Sequence, residues 1–537
     1  MSWLKRLIRF AAAFAAAGLL GGCARPGGDD TRASATEKVF NAVMVAEPKR
    51  LDPAFCYDLY EGIVSGLIHE GLVFFGRENE ILPGLAERWE ISPDGRSYTF
   101  ALREAFFSDG RPVTSADVRY SFTRILRPAT NSERKWLFDS VEGADEVASG
   151  TATDLRGLET PDPRTVIIRL KRPDAAFLTK LAMPNAAIIP EDSAGRTAPD
   201  RAYDTAPVGA GPWRLDKWLR DRRLEFRRNE HHWGGRFPLD RLLMHIQTDD
   251  RVMQQGFEAG NLDIHTVSFT AWPQWSADPA RRERMMPVQE LNTYYIGIMC
   301  SKPHLADRRV RQAIAHAIDA DGIFENLQRG RGIRAAGPVV PGVPGYRQHL
   351  SPRRQDIARA RALLAEAGAQ GLNLDFWFTQ ENLTAEIVAA ARAGLEEAGF
   401  KVNLVRRDNP SLRQAIYNGE PDLYFWSWWL DYPDIENALE PTFHSRNIPF
   451  GGNGARYSNP EADALMDAAR AESDPDRRIA LYQQVEDIVR DDCPWVFLYH
   501  RRSYVMVQPW VTGYKPAIMY NADRFTEVDV DLAKKRH

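Results

Sequence analysis

The stretch DIARARALLAEAGAQGLNLDFWFTQENLTAEIVAAARAGLEEAGFKVNLVR, residues 356–406, sets the fold class. Ile357, Ala360, Leu364 and Ala367 recur at three- and four-residue intervals, the spacing of one helix face, and Gly368 offers a stop. Leu372, Leu374, Phe376 and Phe378 then alternate as a strand. Ile387, Ala391 and Leu395 mark a second helix ended by Gly399, and Val402 to Val405 resumes as a strand. Helix, strand, helix, strand in this order predicts an α/β chain, a sheet covered by helices.

Outward from there the same grammar continues. Asp307 to Ile318 reads as an amphipathic helix with Val310, Ile314 and Ala317 on one side. Residues 460–471 and 476–490 read as two more, each preceded by capping chemistry at Ser458-Asn459-Pro460 and Ser473-Asp474-Pro475. Earlier, Trp89-Glu90-Ile91, the turn Ser92-Pro93-Asp94-Gly95 and the alternating Ser97 to Leu102 predict a hairpin. Thr114 or Ser115 caps a helix through Leu126. No fixed-period repeat is present.

The N-terminus carries targeting chemistry. Lys5, Arg6 and Arg9 precede the apolar run Phe10 to Leu20, which is shorter than the roughly 20 residues a membrane span needs. Leu20-Gly21-Gly22-Cys23 resembles a bacterial lipobox, in which Cys23 is lipidated and becomes the new N-terminus; an ordinary signal peptide followed by a chance cysteine is the alternative. Residues 1–22 are thus expected to be a lipoprotein signal peptide, and 23–38 a flexible tether rich in Gly, Asp, Arg, Ser and Thr. The compartment permits disulfides, and Cys56, Cys300 and Cys493 allow at most one internal bridge.

With 537 residues the chain exceeds what one core serves. A net charge of -4 without a basic stripe argues against nucleic acid. No Cys/His cluster suggests a metal, and the adjacent His231-His232 point apart on either a helix or a strand. The sequence has no Gly-x-Ser-x-Gly elbow, His-Glu-x-x-His helix or phosphate loop. Acidic pairs such as Asp491-Asp492 and Glu396-Glu397 are ordinary on solvated helices. The expectation is a non-enzyme without a cofactor; a hydrolase is the remote alternative.

Seven short motifs occur in sequence. They are Glu47-Pro48-Lys49-Arg50-Leu51-Asp52-Pro53 with Glu70-Gly71-Leu72; Pro83-Gly84-Leu85-Ala86-Glu87-Arg88-Trp89; Ser92-Pro93-Asp94-Gly95; residues 107–118, beginning Phe107-Ser108-Asp109-Gly110; Val208 to Trp213 followed by Arg228-Asn229 and His232-Trp233; Asp307 to Ala313 with Ala317-Ile318-Asp319; and Trp428 to Asp434. Each alone is weak. In this order the chain resembles the large oligopeptide- and dipeptide-binding proteins of ABC importers, solute-binding family 5, over nearly all its mature length.

The resemblance implies a bilobed, type II periplasmic-binding-protein clamp with an extra third domain. Lobe I would comprise 39–57, 190–288 and 505–537; the extra domain 58–189; lobe II 289–504. The ligand, a peptide or peptide-like solute, would lie between the lobes and pass to the transmembrane subunits of a permease. The protein would act as a monomer, lipid-anchored on the extracytoplasmic face of a bacterial membrane. Asp431, in the Trp-x-x-Asp motif, would pair with the ligand's α-ammonium, since a buried ammonium needs a carboxylate. Trp428 would flank the ligand, and Tyr57, Tyr295 and Tyr499 fall where relatives touch it; core packing is the alternative for each.

The chain also departs from the pattern. Phe425 stands where binders of longer peptides carry an arginine, and Trp429 and Asn292 replace a cysteine pair, so that bridge should be absent. A ligand carboxylate would then fall to Arg329, Arg331 or Arg334, unless these form only a solvated loop. A non-peptide solute on the same fold, such as an oligosaccharide, opine or metal chelate, is the rival reading, and the run Tyr424 to Trp429 suits sugar stacking as well as a buried strand.

Overall fold

The computed structural model describes residues 36–191, 193, 202–449 and 452–535. The signal segment 1–22, Cys23 and most of the tether 23–38 lie outside the described residues. From Lys38 onward the chain forms one compact unit.

The founding stretch folds as its periodicity dictates. Helix Ile357–Ala367 starts at Asp356, whose side chain accepts from the Arg359 amide, and stops at Gly368 with φ 66°. Strand Asn373–Thr379 buries Leu374, Phe376 and Phe378 on one face. Helix Asn382–Ala398 ends at Gly399, φ 106°, and strand Lys401–Arg407 then pairs in parallel with Asn373–Thr379. Such left-handed stops cost glycine nothing. The flanking readings also hold. Helix Arg308–Ala317 is capped by Asp307, and helices Pro460–Ala471 and Pro475–Asp492 by Asn459 and Asp474. Ala86–Ile91 and Ser97–Leu102 form an antiparallel pair, and Asp117 accepts from the Thr114 amide at the start of helix Ser115–Leu126.

Three sheets organise the unit. Val39–Met44 joins Arg241–Ile246 in parallel, and Arg223–Arg228 and Trp213–Leu219 complete a four-stranded sheet. Its core holds Phe40, Trp213, Phe226 and Leu242, with Phe525, Val528 and Val530 from the C-terminal segment. A second four-stranded sheet is built from Ala86–Ile91, Ser97–Leu102, Thr165–Arg169 and Leu158–Asp162. The largest sheet has eight strands, among them the parallel pair above, Leu423–Trp429, Asn292–Ile298 and the long Trp495–Val507.

That long strand joins segments on both sides of the 504/505 boundary. Its first half pairs with Asn292–Ile298 and Gly332–Arg334, and its second half with Met286–Gln289 and Ile264–Thr266. Two strands expected with lobe I thus hydrogen-bond within the larger sheet. The reason is continuity: 13 unbroken residues expose a ladder edge that runs past the boundary expected at 504/505.

Candidate functional site

Strand Leu423–Trp429 delivers the Trp428-Trp429-Leu430-Asp431 motif to the end of the large sheet. The loop after it is fixed from both sides. Asn437 Oδ1 accepts from the Asp431 amide at 2.9 Å, and the Asn437 carbonyl accepts from Trp428 Nε1 at 2.9 Å. The N-cap of helix Ile435–Phe443 is Asp434, not Asp431, so Asp431 is free of that duty.

The Asp431 carboxylate faces segment 58–189. Its Oδ1 accepts from Arg134 Nη1 at 2.9 Å; Oδ2 has no hydrogen-bond partner among the described residues. Burial would pull the Arg134 guanidinium down, but the Asp431 charge and Tyr520 outweigh it and hold it above its usual value. Arg134 also lies 5.7 Å from the Tyr57 ring and 6.0 Å from Trp136. The Tyr57 hydroxyl accepts from the Glu133 amide, and its ring remains 37% exposed. Arg134 therefore gathers Asp431 and Tyr57, and Trp428 lines with Asp431 a cavity of about 300 Å³. The same cavity is lined by Lys180, bonded to Asp174 at 2.9 Å and 3.7 Å from Glu436, and by Glu440, 3.2 Å from Arg470. Burial, then the Glu436 charge, pushes Glu440 up to about 7.

Tyr499 stands apart, in a second cavity of about 440 Å³. It is buried, stacked on Tyr294 at 4.8 Å, and its hydroxyl accepts from Gln328 Nε2 at 2.8 Å. Phe425 and Arg501 line the same cavity. Arg501 Nε is bonded to Glu290 at 2.5 Å, and its guanidinium lies 5.6 Å from Tyr294 and 5.3 Å from Trp429.

Tyr295 lies on the other face of its strand. It is 3% exposed and lies parallel to Trp495 at 3.4 Å, inside the core. Successive strand residues face opposite ways, so its neighbour Tyr294 takes the cavity side. The sequence pattern could not tell these two apart, because Ile296 and Ile298 on the Tyr294 face are fully buried as well. Arg134 was also missed: it sits in a charged loop with no periodicity to single it out. Asn292 and Trp429 pair directly across neighbouring strands, and Cys56, Cys300 and Cys493 are free thiols.

Two cavities against the large sheet, each lined by distant parts of the chain, are an arrangement that a bilobed solute-binding protein would use. The comparisons with known proteins agree. Residues 80–450 match the model of bacterial extracellular solute-binding proteins, family 5. The heme-binding protein A of Haemophilus influenzae is 30% identical over 492 residues, 87% of each chain. A probable di/tripeptide-binding protein of Pseudomonas aeruginosa is 29% identical over 471 residues, 84% of this chain and 87% of that one. The ABC transporter-associated periplasmic binding protein of Helicobacter pylori, solved with the peptide STSA, superposes with a TM-score of 0.75 at 26% identity, over 92% of this chain and 98% of that one. The chain belongs to solute-binding protein family 5, with the type II periplasmic-binding-protein fold.

Proposed function

We propose that this protein is the substrate-binding lipoprotein of an ABC importer. It captures short peptides between lobe II and the segments facing it and passes them to a permease; it performs no catalysis, acts as a monomer and is held to the extracytoplasmic face of the membrane through Cys23. The observation that carries the peptide reading is Asp431. It lines a cavity between residues 58–189 and 289–504, with one carboxylate oxygen bonded to Arg134 and the other without a hydrogen-bond partner among the described residues. A carboxylate so placed suits an α-ammonium. The proposed lobe boundaries run as read from the sequence, with the shared strands 264–266, 286–289 and 495–507 as the hinge.

Mass spectrometry of ligand released from protein purified without unfolding tests this: short peptides are expected, and a uniformly non-peptide ligand overturns it. The relative named for haem binding, together with the aromatic run 424–429, favours that second outcome as the rival. Anchoring is tested separately. The wild type should enter the detergent phase with a lipid on Cys23, and Cys23→Ala should not; a soluble wild type cleaved elsewhere rejects the anchor.

A further inference from the structure

The cavity that Asp431 shares with Trp428 carries carboxylate oxygens that its own cations leave unused. Glu436 and Glu440 stand one turn apart on helix Ile435–Phe443 and both line it, as does Asp139 from segment 58–189. The nearby cations are committed: Arg478 bonds Asp434 and Glu436, Lys180 bonds Asp174, Arg446 bonds Asp467, and Arg134 bonds Asp431. Arg470 spans the cavity, 3.2 Å from Glu440 Oε1 and 3.3 Å from Asp139 Oδ2. Two longer contacts join these oxygens, Arg446 Nε 3.9 Å from Glu440 Oε1 and Arg172 Nη2 3.9 Å from Asp139 Oδ2. Glu440 is 7% exposed, yet among the described residues its Oε2 has no hydrogen-bond partner, and Asp139 Oδ1 from the opposite segment has none either. The leftover Nε atoms of Arg134, Arg470 and Arg478 belong to guanidinium groups already paired through Nη. Tyr432, whose hydroxyl donates to Glu436 Oε1 at 3.4 Å, and Tyr482 are the remaining titratable neighbours of the acidic pair.

A buried carboxylate one turn from another is unfavourable as an anion, and either a proton or a cation relieves it. Burial, and then the Glu436 charge, push Glu440 up to about 7, so near neutral pH a proton relieves the ligand-free site for about half of the molecules. The geometry suits an organic cation better than a metal: among the described residues no three His, Cys, Asp or Glu side chains group to hold a metal ion.

We propose that this protein selects peptides whose first side chain is positively charged, that of lysine, ornithine or arginine, and that Glu440 is the residue that selects it. This rests on the peptide reading above, in which Asp431 takes the α-ammonium. The first side chain leaves the α-carbon beside that ammonium, so it is the one placed to enter the cavity that Asp431 lines. A cation there pairs with Glu440 from one segment and Asp139 from the other, and it displaces the Glu440 proton. A neutral side chain leaves the proton in place and gains no ion pair. An acidic one brings a further negative charge to a cavity already lined by acids.

Calorimetry with lysyl-, norleucyl- and glutamyl-alanylalanine reads the selection, since norleucine matches the length of lysine without its charge. At about pH 7 the lysyl peptide should bind about 10- to 100-fold more tightly than the norleucyl one, the gain of one charge-assisted contact, and the glutamyl peptide more weakly than either. Glu440→Gln resembles the protonated site and should fold. It should bring the lysyl and norleucyl affinities within about threefold of each other and leave the norleucyl affinity unchanged. The wild type should release about half a proton with the lysyl peptide and none with the norleucyl one, read as a difference in heat between phosphate and Tris buffers. The cation lowers the Glu440 pKa, so the lysyl preference is full above the ligand-free value near 7 and is lost as pH falls below it, by about tenfold down to about pH 5.5. Equal binding of the lysyl and norleucyl peptides, or a lysyl preference that survives Glu440→Gln, overturns the selection and leaves the peptide reading standing. If the variant unfolds, the wild-type measurements decide: a lysyl preference without proton release overturns the assignment to Glu440, and one with it upholds the assignment. If the wild type binds none of the three, the peptide reading fails and the selection with it.

Discussion

Asp431 and Arg134 show how one residue pair serves two states. Among the described residues Arg134 supplies the only ion pair to Asp431, at 2.9 Å, and the second carboxylate oxygen has no hydrogen-bond partner. A carboxylate accepts at several lone pairs, so an incoming ammonium can bind without displacing the arginine. Asp431→Asn removes the charge but also strands Arg134, whose side chain is 16% exposed, so some loss of stability is expected with any loss of affinity. The ratio of affinities for a free and an N-acetylated peptide cancels that common loss. Breaking a buried charge pair typically costs about 3–5 kcal/mol, and the 28% exposure of Asp431 puts the expectation at the low end. That amounts to roughly two decades in Kd for free peptides, at about 1.4 kcal/mol each, with little change for acetylated ones. Equal weakening of both ligands would mean a packing defect and no ammonium contact.

The elements were more legible than the side chains they carry. Helix and strand periods from Ile357 to Arg407, with Gly368 and Gly399 as stops, follow from local rules that the tertiary structure does not contradict. The strand Asn292–Ile298 carries no such information, because it is buried on both faces and its alternation is silent. Tyr294 and Tyr295 were separable only once the register with Trp495–Val507 was known. Their placement predicts opposite outcomes. Tyr294→Ala should weaken ligand binding about tenfold, near the 1.5 kcal/mol upper range of an aromatic contact, with modest loss of stability. Tyr295→Ala should cost about 3–5 kcal/mol in urea unfolding and leave the Kd of the folded fraction nearly unchanged. The reverse pattern would reject the assigned faces. Helix Ile435–Phe443 carries the pH dependence. Glu440 is raised to about 7 by burial and Glu436, whereas an unfolded glutamate titrates near 4.5. The folded state therefore holds the extra proton between these values, and stability should fall as pH rises through that window. The span implies an upper limit of about 3 kcal/mol, and Glu440→Gln should flatten the slope there in a pH series of urea midpoints. A wild-type stability flat between pH 4.5 and 7 would reject it.

At the scale of the whole molecule, the motifs announced the family and the periodicities announced an α/β chain, but neither could reveal which charges meet across the cleft. Such meetings depend on residues hundreds of positions apart. Arg134 reaches Asp431, Arg470 reaches Asp139 at 3.3 Å, and Lys180 reaches Glu436 at 3.7 Å, so among the described residues three ion pairs around one cavity help tie segment 58–189 to 289–504. Asp139 is 42% exposed and Arg470 14%, so salt reaches the outer contact more readily than Lys180, which is 3% exposed. At about 1 M ionic strength the screening length falls to about 3 Å, enough to weaken an exposed pair but not a buried one. The ligand-free protein should thus loosen with salt, and small-angle scattering should show its radius of gyration rise between 0.05 and about 1 M. A bound ligand adds its own contacts to both sides and can shift the balance only by preferring the closed arrangement. With ligand at about 100 times Kd, the folded state gains about 2.7 kcal/mol, so the melting temperature should climb with ligand concentration. Under the same conditions the radius of gyration should fall below the ligand-free value and lose its salt dependence. A verified ligand that raises the melting temperature yet leaves scattering unchanged at every salt concentration would show binding without closure, and the clamp reading would fail.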